Sequence, residues 1–351
     1  MDELLVSDTN TTAHAPSPPE PIARPPSPAV AVAWICIWAY LGVAARVLFT
    51  SASKSIEATQ AAPSILTAMG VSFFLPNVVG CFVMGLAQPL KTARHEAFWT
   101  GVTTGFCGCC TTFASWELVL AQEYLGSMAA NATFMFFVQL TTSLAAFLSG
   151  RHLGLVYTGR VHAAAAQAAW SDVLAYAQSR SVQQDEDGKW QRLALAMEEA
   201  PPLPAAGAST LKPVRHGVVY SLCALATVLA IILAALYLDG YLAVVVGPLG
   251  ALLRYGLGLR LNKSKTFPLG TFVANVLASI VSCIGVLAMP TSTLAATWVQ
   301  HALLTGFCGS LSTVSSWINE IYSMPSSSVL YVAATHVATQ TACLLLLGLG
   351  E

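Results

Sequence analysis

Thr104-Gly105-Phe106-Cys107-Gly108 recurs, residue for residue, as Thr305-Gly306-Phe307-Cys308-Gly309. Each copy opens a run of small and hydroxyl-bearing residues, Cys109-Cys110-Thr111-Thr112 in the first and Ser310-Leu311-Ser312-Thr313 in the second, inside an apolar stretch. Glycine and β-branched threonine weaken a helix, and carbonyls freed at membrane depth are tolerated only where protein or a cavity satisfies them. A glycine-lined packing face would explain one copy alone. Two copies predict a duplicated, membrane-embedded unit.

Composition sets the surroundings. Charged residues form 9% and hydrophobic residues 55% of the 351 positions, and mean hydropathy is +0.65; soluble domains carry roughly a quarter charged residues. The chain therefore reads as an all-α integral membrane protein, since spanning strands would show alternation over about ten residues. All nine cysteines lie in apolar stretches and none in a polar loop, which argues against a disulfide framework. A formal net charge of −1 gives no footprint for nucleic acid.

Candidate spans surround the two motifs in matching order, at 29–50, 64–90, 97–121 and 131–149, then at 241–260, 267–289, 293–319 and 329–349. Gly42-Val43-Ala44-Ala45-Arg46 answers Gly250-Ala251-Leu252-Leu253-Arg254 in the first spans, and Asn77 answers Asn275 in the second. The expected domains are a Pro/Ser/Thr-rich disordered tail (1–28, with no basic start of a signal peptide), a first repeat (29–150), a polar linker (151–213), a connecting helix (214–239) and a second repeat (240–351). About nine helices result. One helix between two four-helix sets makes the second begin on the opposite side, so the repeats are inverted. Lys91, Arg94, the cluster between 151 and 215, Arg260, Lys263 and Lys265 then share the amino-terminal side, which the positive-inside rule makes cytoplasmic. The carboxyl terminus is expected outside.

Several side chains could carry chemistry. Phe113 and Trp116 lie three apart and share a helix face, as packing residues or as positive ring edges toward an anion. Asn77 and Asn275 need partners at mid-span, and both a bridge between helices and contact with a small anion fit. Tyr331, Thr335 and Thr339 repeat at i+4 as one hydroxyl stripe, though threonine often bonds back to its own helix. The matching helix of the first repeat has the less regular Gln139, Thr141, Thr142 and Ser143. Arg46 and Arg254 read as structural anchors that bond carbonyls near helix ends. His336 reads as a hydrogen-bonded packing residue. Cys107, Cys109 and Cys110 invite a soft metal, but the second motif keeps only Cys308 and no His or Met cluster accompanies them.

Taken together, these residues resemble the fluoride channel family, and more closely its fused eukaryotic form, the fluoride export proteins. The resemblance spans both repeats and the connecting helix, leaving out the tail and linker. The family segment Gly-Gly-x-Thr-Thr-Phe-Ser-x-Phe matches Gly108 to Trp116 and Gly309 to Trp317. The resemblance implies a fluoride pore formed by Asn77, Asn275, Thr112, Thr313, Phe113, Trp116, Trp317, Tyr331, Thr335 and Thr339. It implies a structural sodium ion on backbone carbonyls among Gly108, Thr111, Gly309 and Ser312. It also implies a gating or entrance role for Glu320, whose first-repeat counterpart is Val119. Val314 stands where the family's first phenylalanine would be, so one working and one degenerate pathway are expected, with Trp317 partnering Phe113.

The resulting reading is a passive fluoride-selective channel in the plasma membrane, acting as a fused monomer in the bilayer. The rival is an inverted-repeat transporter coupled to Na⁺ or H⁺, for which His336, Glu117 and Glu320 are the ionisable candidates at depth. No nucleophile and base pair or cofactor loop points to an enzyme.

Overall fold

The computed structural model describes residues 28–58, 72–92, 95–179, 216–236, 238–264 and 266–350, and regular structure among them is helical. The expected tail, the linker beyond 179, the start of the second span, Arg94 and Lys265 lie outside the described residues.

Helix α1 (Pro28–Ala58) and α2 (Phe74–Leu90) begin the first set. The third span is a chain of pieces: α3 (Glu96–Thr100), a π-helical segment (Gly101–Cys107), α4 (Gly108–Cys110), an extended step at Thr111-Thr112, and α5 (Phe113–Leu125). Then α6 (Ala129–Ser179) closes the set, and α7 (His216–Leu236) connects to the second. The second set repeats the order with α8 (Leu238–Leu261) and α9 (Leu269–Leu287). Its broken span is α10 (Thr293–Thr297), a π-helical segment (Trp298–Cys308), α11 (Gly309–Leu311) and α12 (Ser315–Ser323), and α13 (Ser328–Gly350) ends it. Among the described residues, five helices are long and apolar enough to cross a membrane: α1, Ala129–Val161 of α6, Tyr241–Leu261 of α8, α9 and α13.

Two helices extend beyond the expected spans. Helix α1 runs eight residues past its expected end at 50, through a stretch that contains neither Pro nor Gly. Helix α6 runs straight across 150 into the expected linker. A Cβ at Gly150 or Gly154 would strike the α2 backbone at Phe82 or Leu86, and one at Gly85 would strike Phe147. They are close-packing positions of the small-residue kind, and the alanine-rich stretch from 163 onward sustains the helix.

Polarity is distributed from the inside out. Arg46, Asn77, Thr111, Thr112, Glu117, Asn275, Ser312 and Thr313 are buried, while Leu48, Phe134, Phe137, Leu225, Val329, Leu330 and Leu345 are exposed. A membrane protein presents its apolar side chains to lipid and keeps polar ones within the bundle. The recurring glycines position the core. A Cβ on Gly42 would collide with the Phe106 carbonyl, and one on Gly250 with the Phe307 carbonyl, so α1 and α8 each lie directly on the π-helical segment of their own set.

Candidate functional site

The two broken spans meet at their extended steps. Thr111 (φ −88°, ψ 151°) and Ser312 (φ −79°, ψ 159°) leave the helix, and an asparagine closes each gap. Asn77 Nδ2 donates to the Thr112 carbonyl at 3.2 Å and its Oδ1 accepts from the Thr112 amide at 2.8 Å. Asn275 makes the same pair with Thr313, at 3.1 and 2.8 Å. The amides thus bridge helices, and each retains a second N–H outside these bonds.

Each step then caps the other set's helix. The Thr111 hydroxyl accepts from the Val314 and Ser315 amides at 3.2 Å, at the start of α12. The Ser312 hydroxyl accepts from the Phe113 and Ala114 amides at 3.2 and 3.1 Å, at the start of α5. Both hydroxyls donate back to the Cys107 or Cys308 carbonyl at 3.0 Å. Within each set, Thr112 accepts from the Ser115 amide and Thr313 from the Ser316 amide, an N-cap in the same register.

The arginines cross in the same reciprocal way. Arg46 Nη2 donates to the Thr305 carbonyl at 2.6 Å and Arg254 Nη2 to the Thr104 carbonyl at 2.9 Å. Both acceptors lie in π-helical segments, where the i→i+5 ladder replaces the α-helical one. Arg254 also packs on Gly108 and Arg46 on Gly309, where a side chain would displace the guanidinium. Ser310, which sequence reasoning missed, joins them: its carbonyl accepts from Arg254 Nε at 3.1 Å and its hydroxyl from Arg46 Nη2 at 3.4 Å.

Beside the crossing stands an aromatic wall. Phe113 lies edge-on to Trp116 and to Trp317, with centroids 5.6 and 5.3 Å apart. Trp317 is 6.4 Å from Tyr331. Trp317 Nε1 donates to the Thr335 hydroxyl at 3.3 Å, which bonds back to the Tyr331 carbonyl at 2.7 Å. Tyr331 donates to Glu320 Oε2 at 2.8 Å, and Thr271 donates to Oε1 of the same carboxylate. Thr339 Oγ1 and Trp116 Nε1 are buried and have no hydrogen-bond partner. Val314, in Phe113's matching place, is fully buried and supplies no ring. On the first-repeat side Gln139 donates to Ser143 at 2.7 Å, while Thr141 and Thr142 bond back to their own helix.

Glu320 opens onto a cavity of about 260 Å³ that Lys91, Arg254, Asn262, Thr271 and Asn319 also line. Asn262 caps α9 by accepting from the Gly270 and Thr271 amides. His336 does not stand alone: Glu117, fully buried on α5, faces it.

Sodium can be weighed against the donors present. The Thr112 and Thr313 amides, which would continue the helical ladder to the Gly108 and Gly309 carbonyls, are taken by the asparagine oxygens. Carbonyls released at an unwound turn are neutral hard donors of the type that holds sodium, so the donor set fits. The guanidiniums packed on the same two glycines oppose a cation there.

A family model described as CrcB-like protein, Camphor Resistance (CrcB) matches the chain twice, over residues 33–151 and 241–351. Fluoride export proteins 1 and 2 of Saccharomyces cerevisiae are each 27% identical over 354 positions, covering 89% of this chain and 90% of the relative. The fluoride-specific ion channel FluC of Nitrosomonas europaea is 39% identical over 106 residues, 29% of this chain and 81% of the relative. No solved structure matches. With the two matches covering most of both helix sets, the chain belongs to the CrcB-like protein family.

Proposed function

We propose that the chain is a fluoride-selective channel through which the ion leaves the cytoplasm down its own gradient. The observation that carries this reading is the buried wall of Phe113, Trp317, Tyr331, Thr335 and Thr339, which offers ring edges and hydroxyls and no cationic side chain. Removing water from a small anion costs much, and neutral donors compensate without binding so tightly that exit is slow. The unpartnered Thr339 hydroxyl and Trp116 indole N–H are two buried donors of the right kind, each unfavourable while unmet. The names of the yeast and bacterial relatives, fluoride export protein and fluoride-specific ion channel, support the same substrate.

The reciprocal contacts of Thr111 with Ser312 and of Arg46 with Arg254 support an inverted pair of repeats, 29–150 and 240–351, joined by the helix at 214–239. In this arrangement the fused chain works as a monomer. One route passes Phe113 and Trp317 toward Tyr331, and the route that would pass Val314 is degenerate. Glu320 guards the entrance from the cavity beside Lys91. Gly108, Thr111, Gly309 and Ser312 would hold a structural sodium ion through backbone carbonyls, against the repulsion of the Arg46 and Arg254 guanidiniums. The clustered basic residues favour a plasma-membrane orientation with amino terminus and linker in the cytoplasm and the carboxyl terminus outside.

Efflux from proteoliposomes, followed with a fluoride electrode, separates this from coupled transport. A channel shows a rate that grows with fluoride concentration and does not need a sodium or proton gradient. Flux that saturates and requires either gradient would replace it with the coupled transporter.

A further inference from the structure

Glu117 follows Trp116 on α5 and is fully buried. Both of its carboxylate oxygens lie 3.0 Å from His336 Nδ1. Gln340 Nε2 donates to Oε2 at 2.7 Å and to the Glu117 carbonyl at 2.9 Å. None of these partners is Lys or Arg. The imidazole is held from its other side by Phe136, with ring centroids 4.0 Å apart, and remains 18% exposed. A carboxylate and a neutral imidazole together carry one negative charge, and uptake of one proton by either makes the pair neutral. His336 and Gln340 follow Thr335 and Thr339 directly on α13. The charge therefore changes within one helical turn of the hydroxyls assigned to the route.

We propose that Glu117 and His336 form a binding site for a single proton, whose occupancy sets how fast the anion passes Thr335 and Thr339. This rests on the fluoride-channel reading. The pair is well isolated. Helix α6 carries no ionisable side chain between Ala129 and Gly150, α9 contributes only Cys283 and α11 none. Helix α12 adds Glu320 and Tyr322, α13 adds Tyr331 and Cys343, and α5 adds Glu123 and Tyr124. Glu320 is already bonded to Tyr331 and Thr271, and Glu123 accepts from Asn131 at the far end of α5. With the proton absent, the buried negative charge repels fluoride. With it bound, that repulsion is gone.

Fluoride efflux is measured at about pH 8 and about pH 5.5. Protein-free vesicles give the background carried by HF through lipid. The wild-type rate should rise about tenfold as pH falls, the scale expected for one charge at this distance in a partly screened interior. Glu117→Gln keeps the hydrogen bonds without the charge, and its rate should stay at the wild-type low-pH level at both values. His336→Gln, which keeps an amide donor, should change the pH profile even if the first variant folds poorly. A flat wild-type profile, or profiles that coincide for wild type and both variants, overturns the proton site while leaving the channel in place. A wild type that passes no fluoride at either pH overturns the channel reading and the proton site with it.

Discussion

Phe113 and Val314 occupy matching places, each one residue after the threonine that caps the following helix, and both are fully buried. The difference between them is electrostatic. Phe113 packs edge-to-face with Trp317 and has a ring edge to offer an anion, and a valine has none. Phe113→Ile should therefore lower fluoride efflux about tenfold or more, roughly 1.4 kcal/mol of barrier. Val314→Ile should leave it within about twofold: the added methylene costs about 1–3 kcal/mol of folding stability at a buried place, and it falls on the route proposed to be degenerate. Equal losses in the two variants would show two working routes. The inequality was legible in the sequence because both residues sit at one position of a repeated motif. The pairing of Glu117 with His336 was not, because 219 positions separate them and no local pattern links an acid on α5 to an imidazole on α13.

At the scale of the element, the two broken spans support each other's helices. Thr111 and Ser312 each present one hydroxyl to two amides across the crossing, so neither helix start is completed by its own set alone. Thr111→Val keeps the shape and deletes the cap, and should cost about 1–2 kcal/mol of stability. Thr111→Ser should retain most of it. Thermal unfolding in detergent reads the difference, and a valine variant as stable as wild type would mean that the hydroxyl does not hold α12. The break itself was readable from Thr-Thr and Ser-Thr after glycine, but its partners were not. The π-helical segments before it left no local signal, because the arginine that takes each freed carbonyl comes from the other set. Gly150 and Gly154 depend on their partners in the same way: a glycine can end a helix or let two helices touch, and only the position of α2 decides between them.

Over the whole molecule the fold is a frame of reciprocal contacts with unequal side chains on its two flanks. Composition and the duplicated motif were enough to place the chain in the membrane and to find both halves, since they depend on hydrophobicity and on spacing along the chain. The flanks depend on what faces what. Trp317 reaches Thr335, whereas Trp116 has a buried indole N–H with no partner. A wall of ring edges and neutral hydroxyl donors should favour the smallest halide, the one whose lost water such donors can best replace. The most direct test is efflux of fluoride and of chloride from the same proteoliposomes, each driven only by its own gradient. The account predicts rapid fluoride loss with chloride retained at the level of protein-free vesicles. Comparable loss of both ions, or retention of both, would contradict it.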